Sequence, residues 1–210
     1  MIKKRTVISI GVVAIVVFLV GLKFAVFSYG ITRKQWDGRM TRLFARVTGF
    51  PAGKVDGHKA TYTDYLAQID AQKVYLQTED ARSRQLPREV NAETSKAAYS
   101  QIMQIAALEA LADEYQVAIS DLDINRGFDD FVAQSGTSTS PGEIDAFLKE
   151  SFGWTREEFK RFFIRPGVMS QALRTKMPGK TEEEKGQALG QKIDERLLKD
   201  DVKKYLLFPS

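Results

Sequence analysis

The chain has 210 residues, 43% of them hydrophobic and 28% charged, enough for the core of one domain plus appendages. It holds no cysteine and a single histidine, His58. That excludes disulfide scaffolds, thiolate metal sites, iron–sulfur clusters, a cysteine nucleophile and any mechanism that needs two imidazoles. The net charge of +4 divides unevenly: residues 1–54 carry ten Lys/Arg against one acid, Asp37, for +9, and the rest carries 21 basic against 26 acidic residues, for −5. The larger part, being mildly acidic, offers no nucleic-acid surface, and the basic segment beside an apolar stretch points to a lipid bilayer instead.

Lys3, Lys4 and Arg5 precede Thr6–Leu22, 17 residues without a charge. Taken on to Tyr29, the stretch is expected to be a transmembrane helix over 6–29, because 24 residues at about 1.5 Å each reach roughly 36 Å. A cleaved signal peptide wants a small-residue site that Phe24-Ala25-Val26-Phe27-Ser28 does not provide. A buried soluble helix wants a polar face that residues 6–22 lack. Lys3, Lys4, Arg5 and Trp36 are the expected membrane-anchor residues, with 1–5 in the cytoplasm and the body outside.

Trp36, Met40, Leu43, Phe44 and Val47 recur at helical spacing among arginines, so 30–50 reads as a basic amphipathic helix beside the membrane, used either to lie on headgroups or as a stalk. Lys54–Thr61 is a short extended piece turning at Asp56-Gly57. Helices are expected over about 64–79, with Thr63 as cap, over about 92–116, and again after Ser120. Gln134–Ser140 is a polar loop. Ser140, Thr155 and Thr181 each open a helix with Glu three residues on. Pro166 should kink or break the helix that Thr155 starts, and the last helix should run to about Tyr205. The expected fold class is all-α, with at most a short extended segment after the anchor.

Chemistry is sparse in the pattern. No phosphate loop, dinucleotide fingerprint or nucleophile elbow is present. The carboxylate pairs sit on amphipathic helices, and Asp121-x-Asp123-x-Asn125-x-Gly127 departs from a calcium loop at Arg126 and Val132. His58 reads as a surface histidine. No catalytic residue, metal ligand or cofactor is expected. Aromatic residues crowd 128–163. At such spacing they are usually core, and the functional alternative is a groove for apolar segments of other chains. Trp154, Phe152, Phe163, Met169 and Met103 are the candidate client-binding residues, with Trp154 the best exposed anchor.

Phe50-Pro51-Ala52-Gly53-Lys54-Val55-Asp56-Gly57 followed by Thr61-Tyr62-Thr63-Asp64-Tyr65-Leu66 resembles the opening of SurA-like N-terminal chaperone domains. Ala107–Asp121 resembles that family's long helix and restart, and Phe147–Phe159 its Leu-x-x-x-x-Gly-x-Thr-x-x-x-Phe segment. The likeness covers about 50–178, with Asp56 and Gln116 as departures. It implies a helical chaperone domain over 51–178, and 179–210 as a closing helix or parvulin remnant. Its partners would be unfolded exported proteins or apolar peptide segments, held at the outer face of the cytoplasmic membrane or in the periplasm. A parvulin prolyl-isomerase domain often follows in the family. The chain carries neither its length nor its histidines, so no enzyme activity is expected, and a parvulin partner acting in trans is implied as a possibility. The functional expectation is a membrane-tethered, ATP-independent holdase. The rival is a membrane-anchored helical adaptor docking one defined protein.

Overall fold

The computed structural model describes residues 21–134, 140–199 and 201–208. Residues 21–34 are helical (α1) and turn back at Gln35, whose φ is +43°, into α2 (Arg39–Thr48). Gly49, in the left-handed region at φ +57°, ends α2 with its N–H on the Ala45 carbonyl. β1 (Pro51–Val55) and β2 (His58–Thr61) form a hairpin paired Val55 to His58 and Gly53 to Ala60. Its two-residue turn has positive φ at both Asp56 and Gly57, the geometry that matches strand twist.

Thr61 ends β2 and caps α3 (Tyr62–Tyr75), its hydroxyl receiving the Asp64 N–H while Asp64 takes the Thr61 N–H. The cap is therefore two residues earlier than the expected Thr63. A short α4 (Glu79–Ser83) leads to α5 (Ala92–Glu114), the 23-residue axis of the molecule. Ala98, Ala106, Ala107 and Ala110 are buried along it, so neighbouring elements approach its backbone closely. Then come α6 (Asp121–Gln134), α7 (Pro141–Phe152), α8 (Arg156–Phe159), a wide π turn over Lys160–Ile164, α9 (Arg165–Arg174) and α10 (Glu182–Leu197). Finally β3 (Lys203–Lys204) adds antiparallel to β1, giving the order β2-β1-β3.

Three apolar clusters hold these elements. The first joins the sheet, α3 and the first half of α5, closed by Leu206 and Phe208 after β3. The second sits between the end of α5, α9 and α10. The third is aromatic and packs α6, α7, α8 and the π turn on Ala67 and Ala71 of α3. Two ion-pair sets tie elements across clusters. Arg42 of α2 makes a bidentate pair with Asp70 of α3 at 2.6 and 2.9 Å. Arg196 of α10, largely buried, bridges Asp56 in the hairpin turn and Glu114 at the end of α5.

Four expectations need correction. Among the described residues no helix is long and apolar enough to cross a membrane, so the anchor over 6–29 is not upheld, and the single-pass, extracytoplasmic placement that followed from it falls too. Residues 1–20, with Lys3, Lys4 and Arg5, lie outside the described residues. The described end of that stretch is used for packing: Ile31 is fully buried, Phe27 stacks on Phe44 at 5.0 Å, and the Thr32 carbonyl accepts from Leu207 N–H. Second, the fold is mostly helical but not all-α, because β3 completes a small sheet. Third, the last helix stops at Leu197 rather than near Tyr205, since Leu206 is drawn into the first cluster. Fourth, of the kink or break expected at Pro166, the break does not occur: the π turn runs directly into α9. The Arg165 N–H reaches five residues back to the Lys160 carbonyl; this shifted register absorbs the N–H that proline lacks. Most of the polar loop, 135–139, lies outside the described residues.

Candidate functional site

A cleft of about 550 Å³ is bounded by β2, α5, α6 and the π turn. Its floor is apolar: Ile102, Ile105 and Ala106 from α5, Ile124 from α6 and Phe162 from the π turn. Its rim is charged with both signs. Lys59, Lys160, Arg161 and Arg165 face Asp64, Glu109, Asp121 and Glu157.

Each rim group is set by local structure. Asp64 is nearly buried because it is the third residue of α3 and serves the cap, one oxygen taking the Thr61 hydroxyl at 2.7 Å. Its other oxygen lies 2.7 Å from Arg161 Nη2. The π turn brings successive residues round more widely than an α turn, so Lys160, Arg161 and Phe162 all reach the cleft. Phe163 is pushed out, half exposed and stacked on Phe159 at 5.0 Å. Lys160 donates to Asn125 at 2.8 Å and lies 5.1 Å above the Phe128 ring. Arg165 sits 3.5 Å from Glu109.

Glu109 and Arg165 form the ridge to a second hollow of about 390 Å³, also lined by His58, Val117, Ile119 and Met169. There His58 is wedged between two acids of α5, with Nε2 3.0 Å from Asp113 and Nδ1 3.7 Å from Glu109. The sequence reads it as a solitary surface histidine; folded, it fastens β2 to α5. Its two nitrogens face different carboxylates, so they do not converge on one point. Among the described residues no group of three or more His, Asp or Glu is placed to hold a metal ion. Asp123, in the calcium-like run, is spent on capping: it accepts from the Ser120 hydroxyl at 2.6 Å and the Ser120 N–H at 3.0 Å.

The residues singled out in the sequence scatter. Trp154 is 6% exposed, stacked on Phe152 at 5.9 Å, and donates its indole N–H to the Ala67 carbonyl. The expectation of an exposed Trp154 anchor is therefore corrected: the nitrogen finds its partner inside, and the ring joins the aromatic cluster. Phe152 is half-buried beside it. Met169 and Met103 are each 3% exposed, in the second and first clusters. Met103 fills the space over Gly53, where a Cβ would stand 2.2 Å from its sulfur. Only Phe163 of the five presents an open face. Trp36 lies against Gly30 and is 42% exposed.

The cleft residues Asp64, Ile105, Glu109, Ile124, Lys160, Arg161 and Arg165 were missed by sequence reasoning. One signal pointed at them: Pro166 inside a helical pattern, directly after Lys160-Arg161-Phe162-Phe163-Ile164-Arg165, demands local rebonding of the helix. No family model, curated protein or solved structure matches the chain.

Proposed function

We propose that this protein is an ATP-independent holdase that takes apolar segments of unfolded polypeptides into the cleft between α5, α6 and the π turn. The observation that carries the reading is the pairing of an apolar floor with a rim of four cations and four anions. The floor rewards any apolar side chain, and the two-signed rim tolerates clients of either charge. The resemblance of residues 50–178 to SurA-like domains supports the same reading. β2 adds to it: it is an edge strand of the sheet, and its Lys59 and Ala60 line the cleft, so extended client backbone can lie alongside.

Burying about 300 Å² of client apolar surface yields roughly 7 kcal/mol at about 25 cal/mol per Å². The cost of association is about 4–15 kcal/mol before any hot spot is counted. Weak, rapidly reversible binding follows, which suits holding and release without a nucleotide cycle. No covalent step is involved.

The test is aggregation of a reduced, unfolded client in the presence of the full chain and of Ile124→Asp. The wild-type chain is expected to suppress light scattering at a several-fold molar excess, and the variant to lose that suppression with an unchanged circular dichroism spectrum. No suppression by the wild-type chain, with capture instead of one stoichiometric folded partner, would replace the holdase with an adaptor.

A further inference from the structure

Of the thirteen large hydrophobic residues exposed among the described residues, eight lie between Leu22 and Val47. Scattered exposed apolar side chains need no explanation, but this concentration does. α2 turns Thr41 and Ala45 to the body and leaves Met40, Leu43 and Val47 outward, at 64%, 54% and 77% exposure. Steps of three and four residues set these three in one stripe. Arg39 and Arg46 border it on one side. On the other, Phe44 leads to α1 through Phe27, and Phe24 and Val26 of α1 are also exposed.

Charge follows the same map. Lys23, Arg33, Lys34, Arg39 and Arg46 are exposed, and among the described residues none has a carboxylate within ion-pair distance. The segment's one acid, Asp37, is held by Lys73 at 3.0 Å, and Arg42 by Asp70. A second copy of the chain would bring like charges together. A nucleic acid would leave the stripe unrewarded. One partner meets both demands: a surface with anionic oxygens above an apolar layer.

We propose that the α1–α2 hairpin docks on an anionic phospholipid surface, lying along it rather than across it. The Met40–Leu43–Val47 stripe enters the acyl boundary, and the flanking arginines meet lipid phosphates. No spanning helix is needed for this contact. It is independent of the cleft, which lies among other elements.

The test uses the full chain with vesicles of phosphatidylcholine alone or mixed with phosphatidylglycerol, and reads flotation together with quenching of tryptophan fluorescence by brominated lipid. Trp36, 42% exposed, lies just before the stripe and Trp154 is buried, so Trp36→Phe supplies the blank. Flotation is expected to be at least about tenfold greater with the anionic vesicles and to fall with salt, given roughly fivefold per surface cation. Trp36 should be quenched. Met40→Ser/Leu43→Ser/Val47→Ser should abolish the quenching, and Arg39→Gln/Arg46→Gln should lower flotation at least about tenfold. Equal flotation with both vesicles, or unquenched Trp36 in protein that floats, overturns the proposal. So does a concentration-dependent dimer that the triple serine variant abolishes.

Discussion

The cleft and the α1–α2 hairpin both combine apolar and charged residues, and they differ in whether the charges are answered within the chain. In the cleft, Arg161 has Asp64, Arg165 has Glu109 and Lys160 has Asn125, with Glu157 at 4.0 Å. Among the described residues the α1–α2 hairpin leaves five cations without an acid, and its apolar stripe faces outward. Internal pairing makes the cleft a surface with little net charge bias, which fits the transient and varied clients proposed for it. Absent pairing makes the hairpin a surface of one strong preference.

That contrast can be broken most severely from the cleft side. Phe159 is fully buried and touches five other rings of the aromatic cluster behind the π turn. Phe159→Ala should cost about 3–5 kcal/mol in urea unfolding and collapse client holding with it. Asp64→Ala removes the returning half of the α3 capping box and the partner of Arg161 together, leaving the Thr61 cap in place, and should cost about 2 kcal/mol by the same measurement. Asp64→Asn should recover part of the cap without the ion pair.

Acidity separates the regions less sharply. The Lys73 ammonium holds Asp37 below the usual carboxylate range, the Ser120 hydroxyl does so for Asp123, and the backbone N–H groups of Lys180 and Thr181 do so for Glu184. Lowered folded values mean that their stabilisation is present above the ordinary values of 3.8 for Asp and 4.5 for Glu. It is lost as pH falls through the lowered ones. Thermal melting should thus be flat near neutrality and decline steadily below about pH 4. At the other end, burial pushes the Tyr99 hydroxyl up to about 12 from 10.0. The folded state therefore keeps that hydroxyl protonated where the unfolded chain ionises, and stability should fall between those two values. Tyr99→Phe should remove that part of the alkaline loss, read by melting across the same range. The smallest effect belongs to the hairpin: Val47→Ser should change stability by no more than about 0.5 kcal/mol, because the side chain touches water already.

Local chemistry was legible in the sequence. Ser140, Thr155 and Thr181 cap where their spacing to glutamate says they should, and Asp56-Gly57 turns the hairpin. Those motifs need only neighbours within four residues. What was not legible is what distant segments make together. Lys203-Lys204 carries no strand pattern, and it becomes a strand only because β1, some 150 residues earlier, offers an open edge. Trp154 looked like an anchor because it stands at a helix junction, and what buries it is distant in sequence: its indole N–H is satisfied by the Ala67 carbonyl. The cleft rim is drawn from β2, α3, α5, α6, α8, the π turn and α9, and no spacing rule reaches across them. The aromatic run of 128–163 read correctly as core in its majority, and the cleft it supports takes only Phe162 from those rings, the rest of its lining being isoleucines, alanine and polar or charged side chains.

The most direct test is a photo-reactive side chain placed singly at Ile124 in the cleft, at Val47 on the hairpin and at Leu198 beyond α10, each mixed with a permanently unfolded polypeptide and irradiated. The account predicts crosslinks concentrated at position 124, weak at 198, and diminished by excess unlabelled client. Equal labelling at all three positions, or labelling that avoids position 124, would contradict it.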